Sequence, residues 1–440
     1  MAFYAVLDDP DADFLTEEKL LSIIRECKDS DCWSLMIRTV GSIFNNPASL
    51  LKSFRVSNPV VDIPSAECSS TKEQLNSMQV DLDKDVDDAD PDIEGATAAA
   101  AQEVTPPSVV DDDAITLDID AVRRTFAIMF ADDDAPFQSA LTNALMYLSR
   151  DLDMKLKYHK PLERDPNYLN IFMIVLEIPT LFSPEYIDTA TPAFCKVMGL
   201  LPVNTQAKLA RLWSTFPVEW LKDRLHGLQQ LITVKCITTE WDRDFVLVND
   251  EPAIVGAAKT IKLIYCASIL GGEWDSSSII TFEEKQQKEL DDHLAELYAR
   301  AQEPGQSKER TPPRQDELMT QLNIKALNCR KPLIGWDDFV NEPLSDVIEM
   351  DKDYTNYKME RPDKFTFMTH PFILTTAAKN MGLFYDNRIR MLEERRSSFF
   401  QRILGGATVS MPYLKLRIRR DHIIDDALVN VAIACCSSIT

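Results

Sequence analysis

Between Asp118 and Gly272 apolar residues recur at helical spacing, in stretches that prolines mark off from one another. Val122, Phe126, Ile128, Met129 and Phe130 open the series, and Leu141, Ala144, Leu145 and Leu148 follow. Leu169, Ile171, Phe172, Ile174 and Val175 continue it, then Phe194, Val197, Met198 and Leu201. Stripes of this period need a helix to gather them on one face and a neighbour to bury that face. Because proline pushes the residue before it out of the α region, Pro179, Pro184, Pro192, Pro202 and Pro217 predict helix ends. The expected elements run roughly 10–20 residues with short joins. A long helix is expected over about 250–270, stopped by Gly271 and Gly272. The fold class is therefore mainly α, an irregular multi-helix bundle or an α-solenoid-like body without a repeat of fixed period.

Around this central unit (118–272) the character of the chain changes several times. A short N-terminal helical segment is expected over 15–56. There Leu20, Leu21, Ile23, Ile24 and Cys27 follow a Thr16-Glu-Glu start with N-cap character. Trp33, Met36, Ile37, Val40 and Phe44 make a second stripe, and Leu50, Leu51 and Phe54 a third. Residues 57–117 hold many aspartates and Pro106-Pro107, with almost no aromatics. Such a stretch buries too little apolar surface to offset ordering entropy, so it is predicted to be a disordered acidic linker. Residues 273–321 form a second polar stretch, with a charged helix over Glu283–Ala301 followed by a linker. A second helical region is expected over 322–410, with helices around Trp336, Phe339 and Val340, over 372–383 and over 387–404. The one strong strand signal comes last: Leu414, Leu416 and Ile418 alternate with Tyr413, Lys415, Arg417 and Arg419.

A chain of 440 residues, 45% of them apolar, can bury a substantial core. Its net charge of −23 argues against nucleic acid and against anionic membrane as partners. No run approaches 18 consecutive apolar residues, so no membrane span is expected. The N-terminus has no basic stretch before its apolar residues and does not read as a secretory signal. Nine scattered cysteines suit buried thiols in a reducing compartment, so a cytoplasmic or nuclear location is expected.

Several strings, taken in order, resemble HECT-type ubiquitin ligases, most closely the Angelman-syndrome ligase family. They begin with Leu15-Thr-Glu-Glu-Lys19, Asp118-Ile-Asp-Ala-Val-Arg-Arg124, Arg164-Asp-Pro-Asn-Tyr-Leu-Asn-Ile-Phe172 and Ser183-Pro-Glu-Tyr186. Gln229-Gln-Leu-Ile-Thr233, Leu247-Val-Asn-Asp250, Cys329-Arg-Lys-Pro-Leu-Ile334 and Asn341-Glu-Pro-Leu344 follow. The last are Met350-Asp-Lys-Asp-Tyr-Thr355, Phe367-Met-Thr-His-Pro-Phe-Ile-Leu374, Leu383-Phe-Tyr-Asp-Asn-Arg-Ile-Arg-Met391 and Arg419-Arg-Asp-His-Ile-Ile-Asp-Asp-Ala-Leu428. The resemblance implies the region that precedes the catalytic domain, with 411–428 as that domain's truncated start and 429–440 as a divergent tail. It also implies a part in protein ubiquitination and proteasomal degradation. Protein substrates and regulators would be the partners, and a ubiquitin-conjugating enzyme would be reached only through the missing domain. The alternative is a non-catalytic helical adaptor, or a truncated form competing with the full ligase.

No catalytic, cofactor-binding or metal-ligating residue is assigned, and no cofactor is expected. Cys435 and Cys436 lie near the end of the chain, but Ile-Ala-Cys-Cys-Ser-Ser lacks the Thr-Cys context of the family's nucleophile. Cys27 and Cys32 have a zinc-ligand spacing without a second pair. His422, beside Asp421 and Asp425, reads as a salt-bridged helix start, and Arg417, Arg419 and Arg420 read as a solvated strand face. Leu290, Leu294 and Leu297 do not have the spacing of the Leu-x-x-Leu-Leu helix found in relatives. The apolar groups of 414–431 are expected to leave the chain after about Pro412 poorly ordered or self-associating.

Overall fold

Proline opens helices in this protein more often than it ends them. In a computed structural model, which describes residues 13–55, 116–131, 136–241, 247–274, 290, 316–359, 361, 364–405 and 418–437, Pro47, Pro161, Pro184 and Pro252 each occupy a first helical position. Pro202 precedes its helix as N-cap, and Pro192 lies within a first turn. The missing N–H of proline has no partner to lose there, and its fixed φ suits the helix.

The helices run in chain order α1 (Glu17–Ser30), α2 (Ser34–Phe44), α3 (Pro47–Lys52), α4 (Ile119–Met129), α5 (Gln138–Tyr158) and α6 (Pro161–Arg164). Next come α7 (Leu169–Leu176), α8 (Pro184–Asp188), α9 (Ala190–Met198), α10 (Val203–Trp213), α11 (Val218–Trp241) and α12 (Pro252–Leu270). The chain then adds α13 (Glu317–Gln321), α14 (Glu342–Val347), α15 (Met350–Lys358), α16 (Thr376–Gly405) and α17 (Ile423–Ser437). The protein is mainly α, as the apolar periodicity implies. Side-chain caps satisfy the first amides of several helices: Thr16 Oγ1 accepts from Lys19 N, Asp118 Oδ1 from Ala121 N and Asn341 Oδ1 from Leu344 N.

Helix α12 is the centre. It is apolar over most of its surface, Lys259 and Lys262 apart, and Ile254, Ile261, Ile264, Cys266 and Ala267 are fully buried. It packs on α9, α10 and α11; α9 in turn packs on α5, and α5 on α2. By length and composition α12 could cross a membrane, yet 72% of its apolar window is buried within the helical body. All eight residues of α7 are buried as well. A fully buried Leu, Ile or Phe contributes about 1.5–3 kcal/mol, so these two helices anchor the core.

Four expectations need correction. Thr116 and Leu117 do not belong to a linker: Leu117 is buried and bridges to Arg55, and Thr116 Oγ1 donates to Asn167 Oδ1 at 2.7 Å. The rest of the acidic stretch lies outside the described residues, as does nearly all of the charged 283–301 segment. Residues 316–321 are likewise no linker, since Asp316 caps α13 through the amides of Leu318 and Met319. The two helices expected over 372–383 and 387–404 are one helix, α16, because no proline falls between them to break it. Finally, the only sheet among the described residues is the antiparallel pair β1 (Glu273–Trp274) and β2 (Cys329–Lys331), which no alternation announced. The expected strand over 413–419 falls mostly outside the described residues. Its last two positions, Ile418 and Arg419, lead into a 3-10 turn (Arg420–His422) and then α17.

Candidate functional site

The strings that carry the resemblance lie far apart in sequence, and the fold brings several of them into direct contact. Asp353 of α15 is fully buried and serves as a hub. Its carboxylate accepts from the amides of Phe367 at 2.9 Å and Met368 at 3.1 Å, and from the side-chain amide of Asn249. Burial pushes the Asp353 carboxyl up, while these donors to the ionised form work against that shift. Next to it, Tyr354 Oη donates to Asp386 of α16, which also accepts from Arg390 Nη2 at 2.6 Å.

Asn341 makes a second junction. Its Nδ2 donates to the Gln229 carbonyl at 3.3 Å and to Thr233 Oγ1 at 3.2 Å, tying the start of α14 to α11. Its own amide donates to the Ile373 carbonyl at 2.9 Å. Ser268 makes a third junction, on α12. Its hydroxyl accepts from the Ile334 amide at 2.8 Å, and its carbonyl accepts from the Leu333 amide at 3.0 Å. Each junction satisfies polar groups that burial would otherwise leave unpaired, at a cost of about 1–3 kcal/mol each. These are positions of architecture, and none of them places a nucleophile beside a base.

A cleft of about 500 Å³ opens beside the first junction. Lys259 and Lys262 line it from α12, Gln206 from α10, Asp316 and Glu317 from the start of α13, Tyr357 from α15, and the segment 364–370 closes the far side. Sequence reading missed this site, because the lysines and His370 stand more than a hundred residues apart and gather only through the fold.

The singled-out residues are placed as follows. Cys27 is buried in α1, Cys32 is exposed after it, and among the described residues no three metal-ligand side chains gather. Cys435 and Cys436 fall within α17. Ion pairing at the start of α17 belongs to Arg419 with Asp426, at 2.9 Å, and not to His422; Arg419 therefore faces its own helix and not a strand surface. Leu290 is exposed, and Leu294 and Leu297 lie outside the described residues. Beyond Pro412 the described part forms turn and helix, with Ile423, Ile424, Leu428 and Val429 exposed.

The described thiols differ in reactivity. Cys32 Sγ lies 3.1 Å from Ser34 Oγ, and this side-chain bond with the Ser34 amide lowers its pKa, whereas burial pushes Cys195 and Cys266 up to about 12. The thiolate is the nucleophile, so iodoacetamide is expected to label Cys32 first among the six described thiols of the native chain. Peptide mass spectrometry over time measures this, and labelling of Cys195 or Cys266 at the rate of Cys32 would contradict the packing described.

No family model matches the chain. Part of it is similar to the probable E3 ubiquitin-protein ligase HECTD2 of Homo sapiens, 25% identical over 114 residues that make up 26% of this chain and 15% of the relative. The Pongo abelii protein of the same name matches to the same extent. The probable E3 ubiquitin-protein ligase mug30 of Schizosaccharomyces pombe is 34% identical over 85 residues, 19% of this chain and 10% of that relative. The chain thus spans a small fraction of the length of each curated relative it matches. These likenesses support a ubiquitin ligase-related region, and they do not single out the Angelman-syndrome ligase among HECT-type ligases.

Proposed function

We propose that this chain is the substrate- and regulator-binding region of a HECT-type ubiquitin ligase of the Angelman-syndrome ligase family, with the reactive cysteine on a domain outside it. The reading rests foremost on the three junctions. Of the strings around Gln229, Asn249, Ile334, Asn341, Asp353, His370 and Asp386, six of the seven close on another of their number through hydrogen bonds. The seventh, at Ile334, closes on α12 through Ser268. The strings that carry the resemblance are thus ones that build this chain's own interior. Of the six described thiols, Cys27, Cys195, Cys236, Cys266 and Cys329 are buried and Cys32 is exposed, so the thioester test below bears first on Cys32. In this reading the helical body holds proteins destined for ubiquitination and degradation, in cytoplasm or nucleus.

The test joins the chain in cis to a HECT catalytic domain and compares the proteins modified with those modified by that domain alone. The fusion is expected to ubiquitinate additional proteins, while the chain by itself forms no ubiquitin thioester with a charged conjugating enzyme. An unchanged set of modified proteins overturns the reading. So does a reducing-agent-sensitive ubiquitin adduct on the isolated chain that a cysteine-to-serine substitution abolishes.

A further inference from the structure

His370 lines the cleft beside Asp353 and holds a buried polar atom without a partner. His370 is 5% exposed, and its Nε2 makes no hydrogen bond among the described residues. The other ring nitrogen fixes the tautomer. Thr369 Oγ1 donates its proton to the Thr366 carbonyl at 2.7 Å, so at 2.8 Å from His370 Nδ1 it can only accept. Nδ1 therefore carries the ring proton, and Nε2 presents a bare lone pair. Burial, and then the charges of Lys262 and Lys259, hold the imidazole pKa well below its ordinary value, so the ring is neutral at neutral pH.

The cations around it are not equally engaged. Lys262 is paired with Asp316, and Lys364 donates to Asp250 at 2.7 Å. Lys259 donates to the Gly199 carbonyl at 3.1 Å, and no ion pair is described for it. Burial and the neighbouring Lys262 lower its pKa, the sign of an under-compensated ammonium. Glu317 is the remaining acid on the cleft wall, and Tyr357, Gln206, Thr366 and Thr369 add neutral polar groups. In a chain of net charge −23, a cleft holding three lysines against two acids is a local reversal of sign.

We propose that this cleft binds a phosphate group, free or as a phosphomonoester, with Lys259 and Lys262 on its oxygens and His370 Nε2 sharing one proton with it. A phosphate monoester titrates near neutrality, so it can bring that proton as P–O–H or leave it on the ring, and the balance is the same either way. The anion offsets the two ammonium charges that add to burial in keeping the imidazole neutral, so bound ligand raises the His370 pKa. By linkage, affinity then increases as pH falls through the bound-state pKa and levels off below the free-state one. The groups that set this window are Lys259 and Lys262 from α12, Asp316 and Glu317 from α13, Tyr357 from α15 and Lys364 from the closing segment. The site stands independently of the ligase reading, since its geometry uses none of the comparisons.

The whole chain, labelled with carbon-13 at histidine Cε1, is titrated with inorganic phosphate and separately with a phosphothreonine peptide, and His370→Gln assigns the resonance. A saturable shift of the His370 signal at millimolar phosphate or peptide is expected, and for the peptide, whose dianion carries no proton of its own, it is larger at about pH 6 than at about pH 8. Lys259→Met is expected to weaken binding about tenfold, the loss of one charge-assisted contact, and the exposed Lys222→Met to leave it unchanged. Tighter binding of the peptide than of phosphate assigns the group to a modified protein, and equal binding to a free phosphate compound. No saturable shift with either probe, or equal shifts in the Lys259→Met and unaltered chains, would sink the proposal. Circular dichroism of the Lys259→Met chain guards against a folding defect being read as lost affinity.

Discussion

Gly256→Ala is expected to destabilise the protein by about 3 kcal/mol or more, although alanine is the better helix former by about 1 kcal/mol. Gly256 lies in the second turn of α12, where the end of α9 crosses against it. A Cβ there would stand 2.0 Å from the Cys195 carbonyl oxygen and 2.5 Å from its carbon. Those atoms are main chain, so no rotamer change relieves the clash, and α9 itself must move out. Gly199 completes the notch, for a Cβ on that residue would approach the Gly256 Cα at 2.9 Å. Moving α9 loosens Phe194, Val197 and Met198, all buried, and takes the Gly199 carbonyl away from Lys259. Gly41 is the matched control. It too lies in a helix, α2, and an added Cβ there meets nothing within 4 Å. Gly41→Ala should therefore be neutral or stabilising. Urea denaturation of both variants separates the two effects, and a neutral Gly256→Ala would show that α9 is not seated on α12 in this way.

That contrast also marks where sequence reading stops. The helical body was legible because its signal is local and periodic: the stripes of α1, α2, α4 and α5 are read within one window, and Gly271 ends α12 where a C-terminal glycine should. Gly256 and Gly41 look alike in sequence. Only the position of α9 distinguishes a required glycine from a dispensable one. The β1–β2 pair was missed because two or three residues cannot display an alternation, and the pairing joins positions nearly sixty residues apart. The cleft was missed for a related reason. Lys259 and His370 carry no joint signal in sequence; their significance comes from lining one cleft. Asn249, Asn341 and Asp353 were noticed only through the resemblance, and the fold supplies the physical cause, since each satisfies buried backbone or amide groups of a distant segment.

Glu177→Gln should be the most costly single charge removal in the described structure, at about 3–5 kcal/mol. The Glu177 side chain, only 3% exposed, sits at the end of α7 and accepts two bonds from Arg123 of α4, from Nε at 3.0 Å and Nη2 at 2.9 Å. A second guanidinium depends on the same charge. Arg224 of α11 lies over the rings of Phe182 and Trp220, burial lowers its pKa, and the charge of Glu177 is the strongest that opposes this. One carboxylate therefore compensates two arginines, and Arg123 additionally covers the Phe216 ring at 5.1 Å. A glutamine keeps the size and one acceptor but leaves the part-exposed Arg123 without its ion pair and the buried Arg224 with Asp223 alone to offset its charge. Arg123→Met should cost less, since that side chain is one-third exposed and its loss leaves Glu177 facing Arg224. The pair also fastens α4 to the central body, so the Glu177→Gln chain should lose α4 first, read as amide exchange in 119–129 at lower denaturant than in α12. Salt should change these values little, because buried pairs are weakly screened. A loss below about 1 kcal/mol, the range of an exposed pair, would mean that water reaches Glu177 and that α4 is held by its apolar face alone.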